Sequence, residues 1–118
     1  MNDAIPVVNC GEVRYPVLDE LRLYETEKRA LEEALGGVEG EIYLFGSRLD
    51  PRQRGGDIDV LIIPANETQS LYRLSLTVAT RFQKQCEEKI DVVVLPKEMN
   101  AEQRAFFRLT DKVRIDDG

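Results

Sequence analysis

The chain has 118 residues, 42% hydrophobic and 32% charged, a balance that excludes an intrinsically disordered protein and allows one compact core rather than two. A formal net charge of −6 sets an acidic surface against any phosphate backbone, so nucleic-acid binding is not expected outside a local basic patch. There is no His, and the two cysteines, Cys10 and Cys86, form no CxxC pair, which argues against structural zinc.

No apolar run is long enough to span a bilayer, so no membrane association is expected. The opening "MNDAIPVVNC" lacks the basic-then-apolar pattern of an export signal, which predicts a cytoplasmic protein with both thiols free. Residues 1–16 carry Pro6 and Pro16, which keep any short extended pieces there off central strands. Residues 17–35 are rich in strong helix formers and predict one helix. Leu21, Tyr24, Leu31 and Leu35 lie on its apolar face, and Gly36-Gly37 provides its stop. "EIYLFG" (41–46) predicts a strand, and Pro51 and Gly55-Gly56 mark the following loop. "DIDVLII" (57–63) predicts a second strand, ended by Pro64.

Asn66, with Gln69 at the capping-box position, predicts the start of a helix running to about Glu88. Leu71, Leu74, Val78, Phe82 and Cys86 form its stripe. "KIDVVVL" (89–95) predicts a third strand. Asn100 and Gln103 repeat the capping pattern before a helix to Leu109, and "KVRI" (112–115) is a candidate last strand. Of the phenylalanine pair in this helix, one of Phe106 and Phe107 is expected in the core and one at the surface. The order predicts an α/β (α+β) fold, a small mixed sheet flanked by helices, in a single domain spanning 1–118.

The chemistry concentrates between residues 40 and 95. Alternation along a strand places Asp57 and Asp59 on one face, about 6–7 Å apart. Asp91 reaches the same face if the second and third strands are neighbours, about 4.8 Å apart. Carboxylates about 6 Å apart repel by roughly 2–3 kcal/mol at an effective dielectric of 20, which calls for a cation or shifted pKa values. Oxygen ligands without His or Cys favour Mg²⁺ or Mn²⁺, and a pair of such ions is the arrangement used for in-line phosphoryl transfer. Gly46 allows close backbone approach, and Ser47 offers a hydroxyl and an N–H to a phosphate oxygen. Arg48, with Arg52 or Arg54 as alternatives, can neutralise triphosphate charge. Carboxylates beside a phosphate cradle predict nucleotidyl transfer.

"YLFGSR…GGDIDVLI", followed by "KIDVVV", resembles the signature of the DNA polymerase beta-like nucleotidyltransferases, and more narrowly the minimal nucleotidyltransferases, over about residues 20–95. The resemblance implies that Asp57 and Asp59 bind the metals. It implies that Asp91 completes the cluster as a candidate general base, and that Gly46 and Ser47 contact the triphosphate of ATP or another NTP. It further implies a helical HEPN-type partner in a toxin–antitoxin pair, the nucleotidyltransferase acting as antitoxin by transferring AMP to its partner. The loop "RLDPRQRGG" matches the family only loosely. The chain length leaves no room for an acceptor-binding domain, so the acceptor site is expected to be borrowed from a partner or from a homo-oligomer. Two rival expectations stand beside this one. The chain could be a non-catalytic antitoxin that neutralises its partner by covering it, or an aminoglycoside-type transferase working as a homodimer.

Overall fold

The computed structural model describes residues 15–21, 23–46, 49, 56–66 and 70–116. Among the described residues a 3-10 turn, Pro16–Glu20, precedes three helices and four strands. In chain order they are α1 (Glu25–Leu35), β1 (Gly40–Phe45), β2 (Ile58–Pro64), α2 (Leu71–Gln85), β3 (Ile90–Val94), α3 (Ala101–Leu109) and β4 (Lys112–Arg114). The strands form one mixed sheet in the order β3-β2-β1-β4. β1 is antiparallel to both β2 and β4, while β2 and β3 run parallel. A parallel pair needs a crossover, and α2 supplies it. The expected small mixed α/β architecture is the one observed.

Alternation along the strands divides the core by sheet face. Ile42, Leu44, Ile58, Val60 and Ile62 face α1 and α2, where they meet Leu31, Leu35, Val78 and Phe82. Phe82 is fully buried, and removing a side chain of that size from water contributes about 1.5–3 kcal/mol. Tyr43, Leu61, Ile63 and Leu95 face the other way, with Phe45, Val93, Met99 and Phe107 packed on them. α3 therefore lies on the second face, and it has no fully buried residue. Among the described residues no helix is long and apolar enough to cross a membrane.

The single helix expected over 17–35 is two elements. Pro16 opens a 3-10 turn that puts Leu18 in the core, and Leu21 and Tyr24 are extended. The Glu27 carboxylate then accepts the Tyr24 N–H at 2.8 Å, so α1 starts afresh. This capping contact and the burial of Leu18 outweigh the helical propensity of the segment. Tyr24, expected on the apolar face, is exposed, while Leu31 and Leu35 are buried as expected. The Gly36-Gly37 stop is observed, with Gly37 at φ +88° just past the last turn.

α2 starts later than Asn66: Ser70 is its N-cap, its hydroxyl accepting the Arg73 N–H at 3.3 Å. It ends at Gln85 rather than Glu88, because Cys86 is already extended toward β3. The Asn100–Gln103 capping box is present in both directions, at 2.8 and 2.9 Å. The expected end of the last strand, Ile115, lies one residue past β4 and donates its N–H to the Ile42 carbonyl at 2.8 Å. The expectations for residues 1–14, for Gln69 and for the loop arginines lie outside the described residues.

Asp116 fastens this edge of the sheet. Its Oδ1 accepts the Ile42 N–H at 2.9 Å, and its two oxygens accept from the Arg114 guanidinium at 2.9 and 3.1 Å. Burial pushes its pKa up, but the Arg114 hydrogen bond and the Ile42 amide outweigh that and hold it below the usual carboxylate value. A lowered folded-state pKa stabilises the fold above about pH 4, and this contribution is lost as pH falls through the folded value. Asp116→Ala is expected to cost about 1–3 kcal/mol at neutral pH, because it removes the ionised acceptor of the Ile42 N–H and the Arg114 guanidinium, and to cost less at an acid pH below the folded pKa. Urea midpoints at the two pH values measure this. An equal loss at both would show that the carboxylate charge is not what holds the edge.

Candidate active site

The parallel pairing of β2 and β3 settles where two of the acids go. Asp59 and Asp91 are register partners, so their Cα atoms sit opposite each other on adjacent strands. Neighbouring residues of a parallel pair point to the same face. Both side chains lie on the face of Leu61 and Val93, the face that carries α3. Asp57 stands just ahead of β2, whose first amide, from Ile58, donates to the Lys89 carbonyl at 3.1 Å. Asp57 and Asp91 are exposed, and Asp59 is half-buried between them.

The electrostatics identify Asp59 as the centre. Burial pushes its carboxyl pKa up first, and the negative charges of Asp91 and Asp57 push it further the same way. A carboxylate raised in the folded state holds its proton more tightly there than in the unfolded chain. It therefore subtracts stability once it ionises, and the loss disappears as pH falls. Sites that bind cations and sites that move protons share this signature.

Gly46 closes the other side. It follows β1 with φ +88°, and a Cβ built on it would lie 2.2 Å from Asp59 Oδ2. Any side chain at 46 would occupy the space against the central carboxylate. Ser47 and Arg48, the other two residues expected at the phosphate, lie outside the described residues, as do Arg52 and Arg54.

A Mg²⁺ or Mn²⁺ ion can be tested against these groups. The donors are all hard oxygens, and Gly46 leaves its backbone close to Asp59, both of which fit a hard cation carrying a phosphate ligand. Among the described residues, no three acidic, His or Cys side chains are grouped closely enough to hold an ion as they stand. Asp59 and Asp91 are brought together by register, and Asp57 would join by rotation of an exposed side chain. Like charges do not draw together by themselves.

The same sheet row holds two residues that the sequence reading did not connect with the acids. Phe45 pairs with Asp59 across β1/β2, and Lys112 pairs with Phe45 across β1/β4. The row thus reads Asp91, Asp59, Phe45, Lys112. Lys112 Nζ lies 4.0 Å from the centre of the Phe107 ring and donates to the carbonyls of Phe107 and Thr110 at the end of α3. Its charge is held at the helix C-terminus, where a cation is favoured. Phe107 meets Tyr43 edge-on at 5.4 Å, and Phe106 meets Phe45 edge-on at 5.8 Å. Of the split expected for these phenylalanines the surface half is observed, with Phe106 exposed, while Phe107 is partly buried and packs on the second core cluster rather than lying within it. The Tyr43 hydroxyl is pushed up to about 12, by burial first and then by its bond to Glu41, so it is protonated at neutral pH.

The fold and the site together describe a mixed α/β domain with facing aspartates on a parallel strand pair, roofed on one side by an aromatic helix. No known family profile matches the sequence, and no curated protein does. Among solved structures, the chain is similar to a "putative nucleotidyltransferase from Sulfolobus solfataricus", with 24% identity over 76% of each chain and a TM-score of 0.48. That is a loose likeness of chain course, so the chemistry of the site has to come from this chain's own residues.

Proposed function

We propose that the protein is a metal-dependent nucleotidyltransferase that moves a nucleoside monophosphate, AMP from ATP in the first instance, onto a hydroxyl. The observation that carries this is the register pairing of Asp59 with Asp91, with Gly46 packed against the Asp59 carboxylate. Asp57 and Asp59 hold Mg²⁺ with Asp91, and the ion supplies charge neutralisation at the phosphates. Asp91 orients the acceptor hydroxyl and takes its proton. The acceptor oxygen bonds to the α-phosphorus, the bond from that phosphorus to the β-phosphate oxygen breaks, and pyrophosphate leaves. Gly46 lets the triphosphate approach the backbone, with Ser47 and Arg48 as its further contacts. Catalysis of this kind rests on positioning and charge rather than on covalent steps.

The acceptor belongs to the same proposal: a hydroxyl on a helical HEPN-type partner protein, with the chain as the antitoxin of the pair. Incubation of the purified protein with such a partner, Mg²⁺ and α-labelled ATP tests it. Label on the partner, at a rate about 100-fold lower for Asp91→Asn, is the expected result. A stable complex with no label transfer would assign the protein to binding alone, and no complex at all would remove this class of acceptor.

A further inference from the structure

We infer that Phe106, propped edge-on against Phe45, is the stacking surface for the planar base of the nucleotide held at Asp59. This deepens the active-site reading and rests on it. Phe45 is the direct cross-strand partner of Asp59, and such pairs have Cβ atoms about 4.5–5.5 Å apart on one face. Phe106 lies one ring farther out, with its centroid 5.8 Å from that of Phe45 and the planes at 88°. The edge of one ring is therefore spent on Phe45.

Phe106 is 38% exposed. Among the described residues, the other exposed large apolar side chains sit elsewhere: Tyr24 beside α1, Tyr72 and Leu76 on α2, and Leu109 at the end of α3. None of these has a described ring contact to the row of acids. Packing alone does not call for an aromatic at 106, because Phe107 already covers Tyr43 and is fixed there by Lys112. Phe106 is carried one step farther along the sheet, toward the ends of β1 and β2 where Gly46 and Asp59 meet. In this reading the nucleoside of a triphosphate held at Gly46 and Asp59 lies on the Phe45–Phe106 side, and an aromatic face is what a base of any sequence recognises.

The test is binding, measured by calorimetry on the full chain with Mg²⁺, using ATP and inorganic tripolyphosphate as separate probes. Phe106→Ala is expected to weaken ATP about 5- to 100-fold and to leave tripolyphosphate within about two-fold. Phe106→Trp is expected to keep ATP affinity. As the chain has no other tryptophan, its fluorescence should be quenched by ATP and not by tripolyphosphate. Equal weakening of both probes in Phe106→Ala would reveal a packing role only and overturn the inference. So would unchanged ATP binding, or a wild type that binds tripolyphosphate as tightly as ATP; in these cases the phosphate site itself survives. A wild type that binds neither probe removes the nucleotide site, and the stacking surface with it.

Discussion

Asp59→Asn should make the protein more stable and less able to work. The charge at 59 is disfavoured by burial, and then by Asp91 and Asp57. Asparagine keeps the shape and removes the charge, so the melting midpoint of the protein without added metal should rise, on the order of 1–3 °C. The gain should be largest above the carboxylate range and vanish as pH falls, because the wild-type group is then protonated too. Nucleotidyl transfer should fall by at least about 100-fold. The stabilisation of wild type by Mg²⁺ with ATP, about 2.7 kcal/mol at a hundred times the dissociation constant, should be absent. Thermal melts with and without ligand, at two pH values, read the midpoint shift, its pH dependence and the ligand response, and a transfer assay with α-labelled ATP reads the activity. A variant that melts lower than wild type yet still responds to ligand would contradict the placement of Asp59 at the centre.

Gly46→Ala is expected to be costly for two separable reasons. At φ +88° an L side chain costs about 1–2 kcal/mol in the backbone. The methyl group would also meet Asp59 Oδ2 at 2.2 Å, so the carboxylate has to rotate away. The expected sum is about 1–3 kcal/mol of stability, together with loss of the response to Mg²⁺ and ATP. A double-mutant cycle separates the parts. In an Asp59→Ala background the nearest remaining atom of residue 59 is its Cβ at 3.5 Å, an ordinary contact, so only the backbone cost should remain. Strict additivity of the two substitutions would show that Gly46 and Asp59 do not touch in solution.

Residue patterns of short range were legible in the sequence. The Asn100–Gln103 cap, the Gly36-Gly37 stop and the alternation of faces from Ile58 to Ile63 all act over four residues or fewer, and the structure shows each of them. The four strands were placed within a residue or so for the same reason. Where local propensity competed with burial, the sequence misled. The helix expected over 17–35 breaks because Leu18 is fully buried and Glu27 caps Tyr24. The start of α2 shifted because Ser70, rather than Asn66, meets the first free amides.

The sequence by itself determined that two acids stand one residue apart at the head of a strand, that a glycine follows the strand before them, and that a third acid stands near the start of another strand. Only the tertiary structure decided that β2 and β3 run parallel in the register that sets Asp91 against Asp59. It also decided that β1 lays Phe45 beside Asp59, and that α3 brings Phe106 to that ring from 61 residues along the chain. The reason is physical. Strand register is chosen by packing both sheet faces at once, so the neighbours of a carboxylate depend on residues that no local window contains.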